Sequence, residues 1–159
     1  MTPTIRNLII GPFASMLALF AYLPTAAADD MASFASGGYA SGLRTMAMMH
    51  RIDTNKDGMV SADEWAAFQG RTFDALDKDQ SGFLDEKEFT GADKENLAFA
   101  TAAYARGLMT DEMFKKIDAN GDGRISKDEF LSYQRRIFEM LDKAKKGMVG
   151  PTDFIRKGG

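Results

Sequence analysis

Three twelve-residue stretches place oxygen-bearing side chains at alternate positions and end on glutamate: DTNKDGMVSADE (53–64), DKDQSGFLDEKE (77–88) and DANGDGRISKDE (118–129). Asp53, Asn55, Asp57 and Glu64 hold positions 1, 3, 5 and 12 of the first. Asp77, Asp79, Ser81 and Glu88 do so in the second, and Asp118, Asn120, Asp122 and Glu129 in the third. That donor set suits a hard cation, since Ca2+ takes about six to eight oxygens at roughly 2.3–2.6 Å. Glycine at position 6 (Gly58, Gly82, Gly123) turns the chain sharply, and position 7 (Met59, Phe83, Arg124) offers its carbonyl. Position 9 (Ser61, Asp85, Ser126) reaches the ion through water, and the closing glutamate supplies both oxygens.

A fourth stretch, DKAKKGMVGPTD (142–153), keeps the outline and loses the chemistry. Ala144 has no oxygen at position 3, Lys146 brings an ammonium to position 5, and Asp153 is a shorter closing carboxylate. Gly147 and Val149 survive at positions 6 and 8, where Val60, Leu84 and Ile125 stand in the other loops. The expectation is a loop that holds no ion and acts as a strut, with Val149 still pairing to a partner loop.

The elements that must position these loops are legible in the flanks. Met49 and Ile52, Phe73 and Leu76, Phe114 and Ile117, and Phe138 and Leu141 precede the four loops at matching distances. Trp65, Phe89, Phe130 and Phe154 follow them, giving each flanking helix one apolar face. Only Trp65–Leu76 separates loops one and two, and only Phe130–Leu141 separates loops three and four. Such a length is one rod of about 18 Å, too short for two helices and a turn. The spacing therefore predicts one helix over Ser61–Leu76 and another over Ser126–Leu141. Loops at opposite ends of a rod cannot pair. The stretch between Glu88 and Asp118 has room for two helices and a bend near Gly107, with Thr110 as a helix cap. Loops two and three can then pair, which leaves loop one to face loop four.

Loops and flanks together resemble the EF-hand superfamily over about residues 49–157. The resemblance implies an all-α EF-hand helix bundle of four helix–loop–helix units, three with intact loops and one degenerate, with short β-pairing between loops. It implies Ca2+ as the bound ion. The compressed spacing is similar to that of lanmodulin-type proteins, within the exported bacterial calmodulin-like proteins, and implies a trivalent lanthanide as the alternative. Those loops carry proline at position 2, where this chain has Thr54, Lys78 and Ala119; a carboxylate at position 9 occurs only as Asp85. Spheres of modest negative charge favour calcium.

Composition excludes much else. The chain has 159 residues, no cysteine, one histidine and a net charge of −3. Thiolate metal sites, disulfides, a cysteine nucleophile and multi-histidine sites are thereby ruled out. The acidic balance argues against nucleic acid as a partner. Arg6 is the only charge before an apolar run, Leu8–Leu23, and a small-residue site, Ala26–Ala28, precedes Asp29 and Asp30. Residues 1–28 thus read as a secretory signal cleaved after Ala28, giving a periplasmic or secreted protein. Membrane attachment is expected only if that segment stays uncleaved. Residues 29–42, rich in glycine, serine and alanine, read as a flexible lead-in, leaving 43–159 as the four-hand domain.

Three roles suit a bound metal. A calcium-responsive protein would open a groove for an unidentified protein target, with Met46, Met48, Met49, Met109, Met113 and Met140 as adaptable contacts. A buffer or metallophore would need no target. An enzyme is not expected, because no nucleophile–base pair, phosphate-cradling loop or spare carboxylate dyad stands out.

Overall fold

The computed structural model describes residues 38–155 apart from Glu95, Asn96 and Phe99. Residues 1–28, read as a secretory signal, and most of the segment read as a lead-in lie outside the described residues. Within them, eight helices and four two-residue strands follow one another. They are α1 (Gly38–Leu43), α2 (Met46–Ile52), β1 (Val60–Ser61), α3 (Ala62–Leu76), β2 (Phe83–Leu84) and α4 (Glu86–Gly91). Then come α5 (Ala102–Leu108), α6 (Asp111–Ile117), β3 (Ile125–Ser126), α7 (Lys127–Leu141), β4 (Met148–Val149) and α8 (Pro151–Phe154). None of these helices is long and apolar enough to cross a membrane.

The two predicted rods are present as α3 and α7. Each opens with a capping box: the serine hydroxyl (Ser61, Ser126) accepts from the glutamate N–H, and the glutamate carboxylate (Glu64, Glu129) accepts back. Strand pairing follows the predicted partners. β1 pairs antiparallel with β4, Val60 opposite Val149, and β2 with β3, Leu84 opposite Ile125. All four of these aliphatics are fully buried. Each ladder closes a pair of loops at one end of the rods.

Two expectations are corrected. Between Glu88 and Asp118 stand three helices rather than two, because α4 ends at Gly91 and α5 is a separate element. The bend falls at Met109 and Thr110, and the Thr110 hydroxyl caps α6 by accepting from the Met113 N–H at 3.2 Å. The lead-in is also shorter than its composition suggested. Gly38–Gly42 belong to α1, with Tyr39, Ala40, Gly42 and Leu43 buried. Small residues there serve close packing: a Cβ on Gly42 would lie 2.3 Å from the Ala103 carbonyl oxygen.

The reason for that packing is an internal repeat longer than the loops. Tyr39-Ala40-Ser41-Gly42-Leu43 returns as Tyr104-Ala105-Arg106-Gly107-Leu108, and the match runs on through Asp53 and Asp118 to Gln69 and Gln134. Each half is a short helix, an entering helix, a loop, a rod and a second loop. The short helices α1 and α5 pack on each other, as do the rods α3 and α7. Contacts obey the repeat: Gly42 meets Ala103 and Tyr104, while Gly107 meets Gly38 and Tyr39. Trp65 stacks at 5.8 Å on Phe138, and their counterparts Phe130 and Phe73 lie 5.7 Å apart. One hydrophobic core runs through both halves, so neither half buries its apolar faces alone.

Candidate metal centre

Every loop is built on the same turn. The aspartate at position 1 ends the incoming helix, its own N–H donating to the carbonyl four residues back. Its Oδ2 then accepts the N–H of the position 6 glycine: Asp53 from Gly58 at 3.0 Å, Asp77 from Gly82 at 2.9 Å, Asp118 from Gly123 at 3.0 Å. Position 6 has φ between 71° and 81° in all four loops, which only glycine adopts without strain. Position 4 is also left-handed, at Lys56, Gln80, Gly121 and Lys145. Three of these are not glycine, so no residue type marks the second left-handed turn.

Loop four makes the same turn without the ligands. Asp142 accepts from Gly147 N–H at 2.6 Å and from Lys146 N–H at 3.0 Å. That accounts for the survival of Asp142, Gly147 and Val149 where the oxygens at positions 3 and 5 are gone. Gly150, at position 9, gives α8 no side-chain cap.

The carboxylates are gathered to different degrees. In loop two, ligand oxygens of Asp77, Asp79 and Glu88 lie within 4.8 Å of one another, the only such trio of acidic or histidine side chains among the described residues. The carboxylates of loops one and three are not drawn together to that limit. There Asn55 donates its amide to Asp57 at 3.0 Å, and Asn120 to Asp122 at 3.3 Å, holding positions 3 and 5 to each other. Loop one has a different mark: Asp53 Oδ1 is buried with no hydrogen-bond partner. A buried, unpaired carboxylate oxygen is costly unless a cation meets it.

Position 12 is held in place by the backbone. Glu64 Oε1 accepts N–H groups of Thr54 and Asn55, and Oε2 accepts the Ser61 N–H and hydroxyl. Glu129 does the same with Ala119, Asn120 and Ser126. Glu88 makes two longer bonds, to Lys78 N–H at 3.2 Å and Asp85 N–H at 3.3 Å. The position 9 side chains of Ser61, Asp85 and Ser126 act as helix N-caps, a use beyond the water-mediated ligation expected of them. Of the position 7 carbonyls, that of Phe83 accepts the Ser81 hydroxyl at 3.0 Å. Met59 and Arg124 donate their N–H groups to Asp57 and Asp122.

These donors set the acidities. Burial pushes the Glu64 carboxyl up, but the donors from Ser61, Asn55 and Thr54 outweigh it and hold it at about 2. Burial likewise pushes the Glu129 carboxyl up, and the donors from Ser126, Asn120 and Ala119 outweigh it and lower it. The Ser81 hydroxyl and N–H lower Asp79. A depressed folded-state pKa stabilises above the unfolded value, and that contribution is lost as pH falls. In metal-free protein, Glu64→Gln is therefore expected to cost about 1 kcal/mol at pH 7. The cost should shrink towards zero as pH approaches about 2. Urea unfolding at both pH values checks this, and a constant difference would refute it.

Of the six methionines read as groove residues, Met48, Met49, Met109 and Met113 are buried in the core, and Met46 is exposed. The sequence reading missed a polar network between the halves. Tyr39 donates its hydroxyl to Gln134 Oε1, Tyr104 donates to Gln69 Oε1, and the Trp65 indole N–H donates to the Gln134 carbonyl. The Tyr-Ala-x-Gly-Leu repeat is the signal that could have found it.

Comparison with known proteins agrees with this geometry. An EF-hand domain pair matches residues 67–135, and a single EF hand matches residues 46–69. A 16 kDa calcium-binding protein of Schistosoma mansoni is 31% identical over 55% of this chain and 67% of its own length. Probable calcium-binding protein CML16 of Oryza sativa is 30% identical over 57% of this chain and 55% of its own. Calcium-binding protein CP1 of Arabidopsis thaliana is 32% identical over 52% of this chain and 60% of its own. The chain thus spans between about half and two thirds of these relatives.

Proposed function

The chain belongs to the EF-hand family, and from that premise we propose that it is an exported calcium-binding protein whose loops one, two and three each hold one Ca2+. The observation that carries this reading is the unfinished charge of the intact loops. Asp77, Asp79 and Glu88 converge without a counter-ion, and Asp53 Oδ1 is buried without a partner. A divalent ion supplies what both places lack. Calcium-binding relatives support the choice of ion. The donors are side-chain and carbonyl oxygens, and the apolar segment Leu8–Leu23 before Ala26–Ala28 supports export.

What the ions do follows from where the loops sit. Each rod begins at the closing glutamate of one loop and ends at the first aspartate of the next, so pulling Glu64 or Glu129 onto an ion moves the start of α3 or α7. The methionines buried in the core are what such a motion would uncover in a sensor, and they stay covered in a buffer. Calorimetric titration of the mature chain should find three bound calcium ions. Fewer than two, with Glu64→Gln and Glu129→Gln changing nothing, would overturn the reading. Lanthanum competition in the same cell settles the ion: a modest preference is ordinary for such loops, whereas many orders of magnitude would replace calcium as the resident metal.

A further inference from the structure

Of the four asparagines in the chain, Asn120 alone is followed by glycine. Both residues are exposed to solvent in loop three. Asparagine is a chemically labile side chain, because the next backbone nitrogen can attack its amide carbon. Glycine at that next position leaves the nitrogen unhindered, having no Cβ. The turn of loop three adds two contacts. The Gly121 N–H donates to Asp118 Oδ1 at 2.8 Å, which puts a carboxylate on the proton that the attacking nitrogen must lose. Asn120 Oδ1 accepts the Asp122 N–H at 2.8 Å, so a donor already faces the oxygen on which negative charge develops. Loop one shows the difference. Asn55 Oδ1 accepts from the Asp57 N–H at 2.9 Å in the same way. There position 4 is Lys56, with a side chain beside the nitrogen, and Asp53 Oδ1 has no hydrogen-bond partner.

We propose that Asn120 is a self-modifying site: in metal-free protein its side chain deamidates with the help of its own loop, and an ion in that loop stops the reaction. The Gly121 nitrogen gives its proton to Asp118 and bonds to Asn120 Cγ. The Cγ–Nδ2 bond then breaks, and the side-chain nitrogen takes the proton from Asp118 and leaves as ammonia. What remains is a succinimide ring joining Asn120 and Gly121. Water opens the ring at either carbonyl. One opening leaves aspartate at position 120, and the other leaves isoaspartate, with the main chain running through Cγ. The balance is amide plus water to carboxylate plus ammonium, with no oxidant or reductant. Aspartate adds a carboxylate at position 3, whereas isoaspartate lengthens the turn by one carbon and throws the later positions out of register. An ion in loop three takes oxygens of Asp118 and Asn120 as ligands, which withdraws both the base and the amide from the reaction. The deamidation stands apart from the calcium reading, and the protection rests on it.

The test incubates the full chain in neutral buffer, with EDTA or with excess calcium, and maps its peptides by mass spectrometry over several weeks. Deamidation is read as exchange of NH for O, in two products of equal mass that chromatography separates. In EDTA, conversion at Asn120 should run at least tenfold faster than at Asn55. Gly121→Lys copies the left-handed Lys56 of loop one, and Asp118→Asn keeps an acceptor for the Gly123 N–H. Each should slow conversion by about tenfold or more. Circular dichroism of both variants, unchanged from the parent chain, shows that they fold. Conversion at Asn120 no faster than at Asn55, or an unchanged rate in either variant, would overturn the proposal. So would an unchanged rate in calcium when calorimetry against Glu129→Gln finds loop three loaded. Should calorimetry find loop three empty, the calcium reading fails instead, and the EDTA samples still decide the chemistry.

Discussion

Gly107→Ala should destabilise the protein by about 3 kcal/mol or more, although it adds a single methyl group. A Cβ at that position would lie 2.4 Å from the carbonyl carbon and oxygen of Gly38 and from the Tyr39 N–H nitrogen. All three obstacles are backbone atoms, so no side-chain rotation relieves the overlap. The helices α1 and α5 must separate, and separation pulls Tyr39 off Gln134 and Tyr104 off Gln69. Those hydroxyls are buried, and burial holds the Tyr104 phenol well above its ordinary value, so they cannot compensate by ionising. Gly42→Ala should behave alike, because it meets the Ala103 carbonyl at 2.3 Å. The internal control is Gly70, which sits in the middle of α3 with open space where a Cβ would go. Gly70→Ala should be neutral or stabilising by up to ~1 kcal/mol, since alanine loses less backbone entropy in a helix. Urea unfolding of the three variants separates a packing role from general glycine flexibility. Equal small effects would refute the close approach of α1 and α5.

That contrast marks where sequence reasoning worked and where it stopped. The rods were legible because loop spacing is a length constraint: the stretch from Glu64 to Asp77 can hold one helix and no turn. Loop pairing followed from the same constraint by elimination. The turn of each loop was legible in the position 1 aspartate and position 6 glycine. The left-handed residues Lys56, Gln80 and Lys145 were not legible, since a long polar side chain carries no mark of positive φ. The start of the domain was misread because small residues have two uses. Composition cannot distinguish a Gly-Ser-Ala linker from a Gly-Ser-Ala helix face pressed against another backbone. What distinguishes them is the second copy, Tyr104 to Leu108, in a stretch with fewer glycines that reads as helix more readily. The unpartnered amide nitrogens of Gln69 and Gln134 lay beyond sequence altogether, because they exist only once two halves are packed.

The architecture makes the intact loops unequal, and Glu129→Gln should expose it. Loop three is joined to loop two through β2 and β3, with Phe83 opposite Ser126 and Leu84 opposite Ile125. Loop one is joined through β1 and β4 to loop four, which lacks ligands at positions 3 and 5. Glutamine preserves the capping box at the start of α7, so the helix keeps its start while the loop loses a negative charge and a bidentate ligand. Calcium affinity at loop three should fall on the order of 100-fold, about 2.7 kcal/mol. Through the shared ladder, loop two should weaken as well, by roughly tenfold, a coupling within the usual range for linked sites. Glu64→Gln should remove one ion with the same local loss and leave the other two sites unchanged, because its ladder partner has nothing to lose. Calorimetric titration of the two variants side by side reads this directly. One outcome, Glu129→Gln costing a single ion with loop two unaffected, would mean that the ladders carry no energy between sites. The matching asymmetry in the opposite sense, with Glu64→Gln weakening loops two and three, would place the coupling along α3 instead of across β2 and β3.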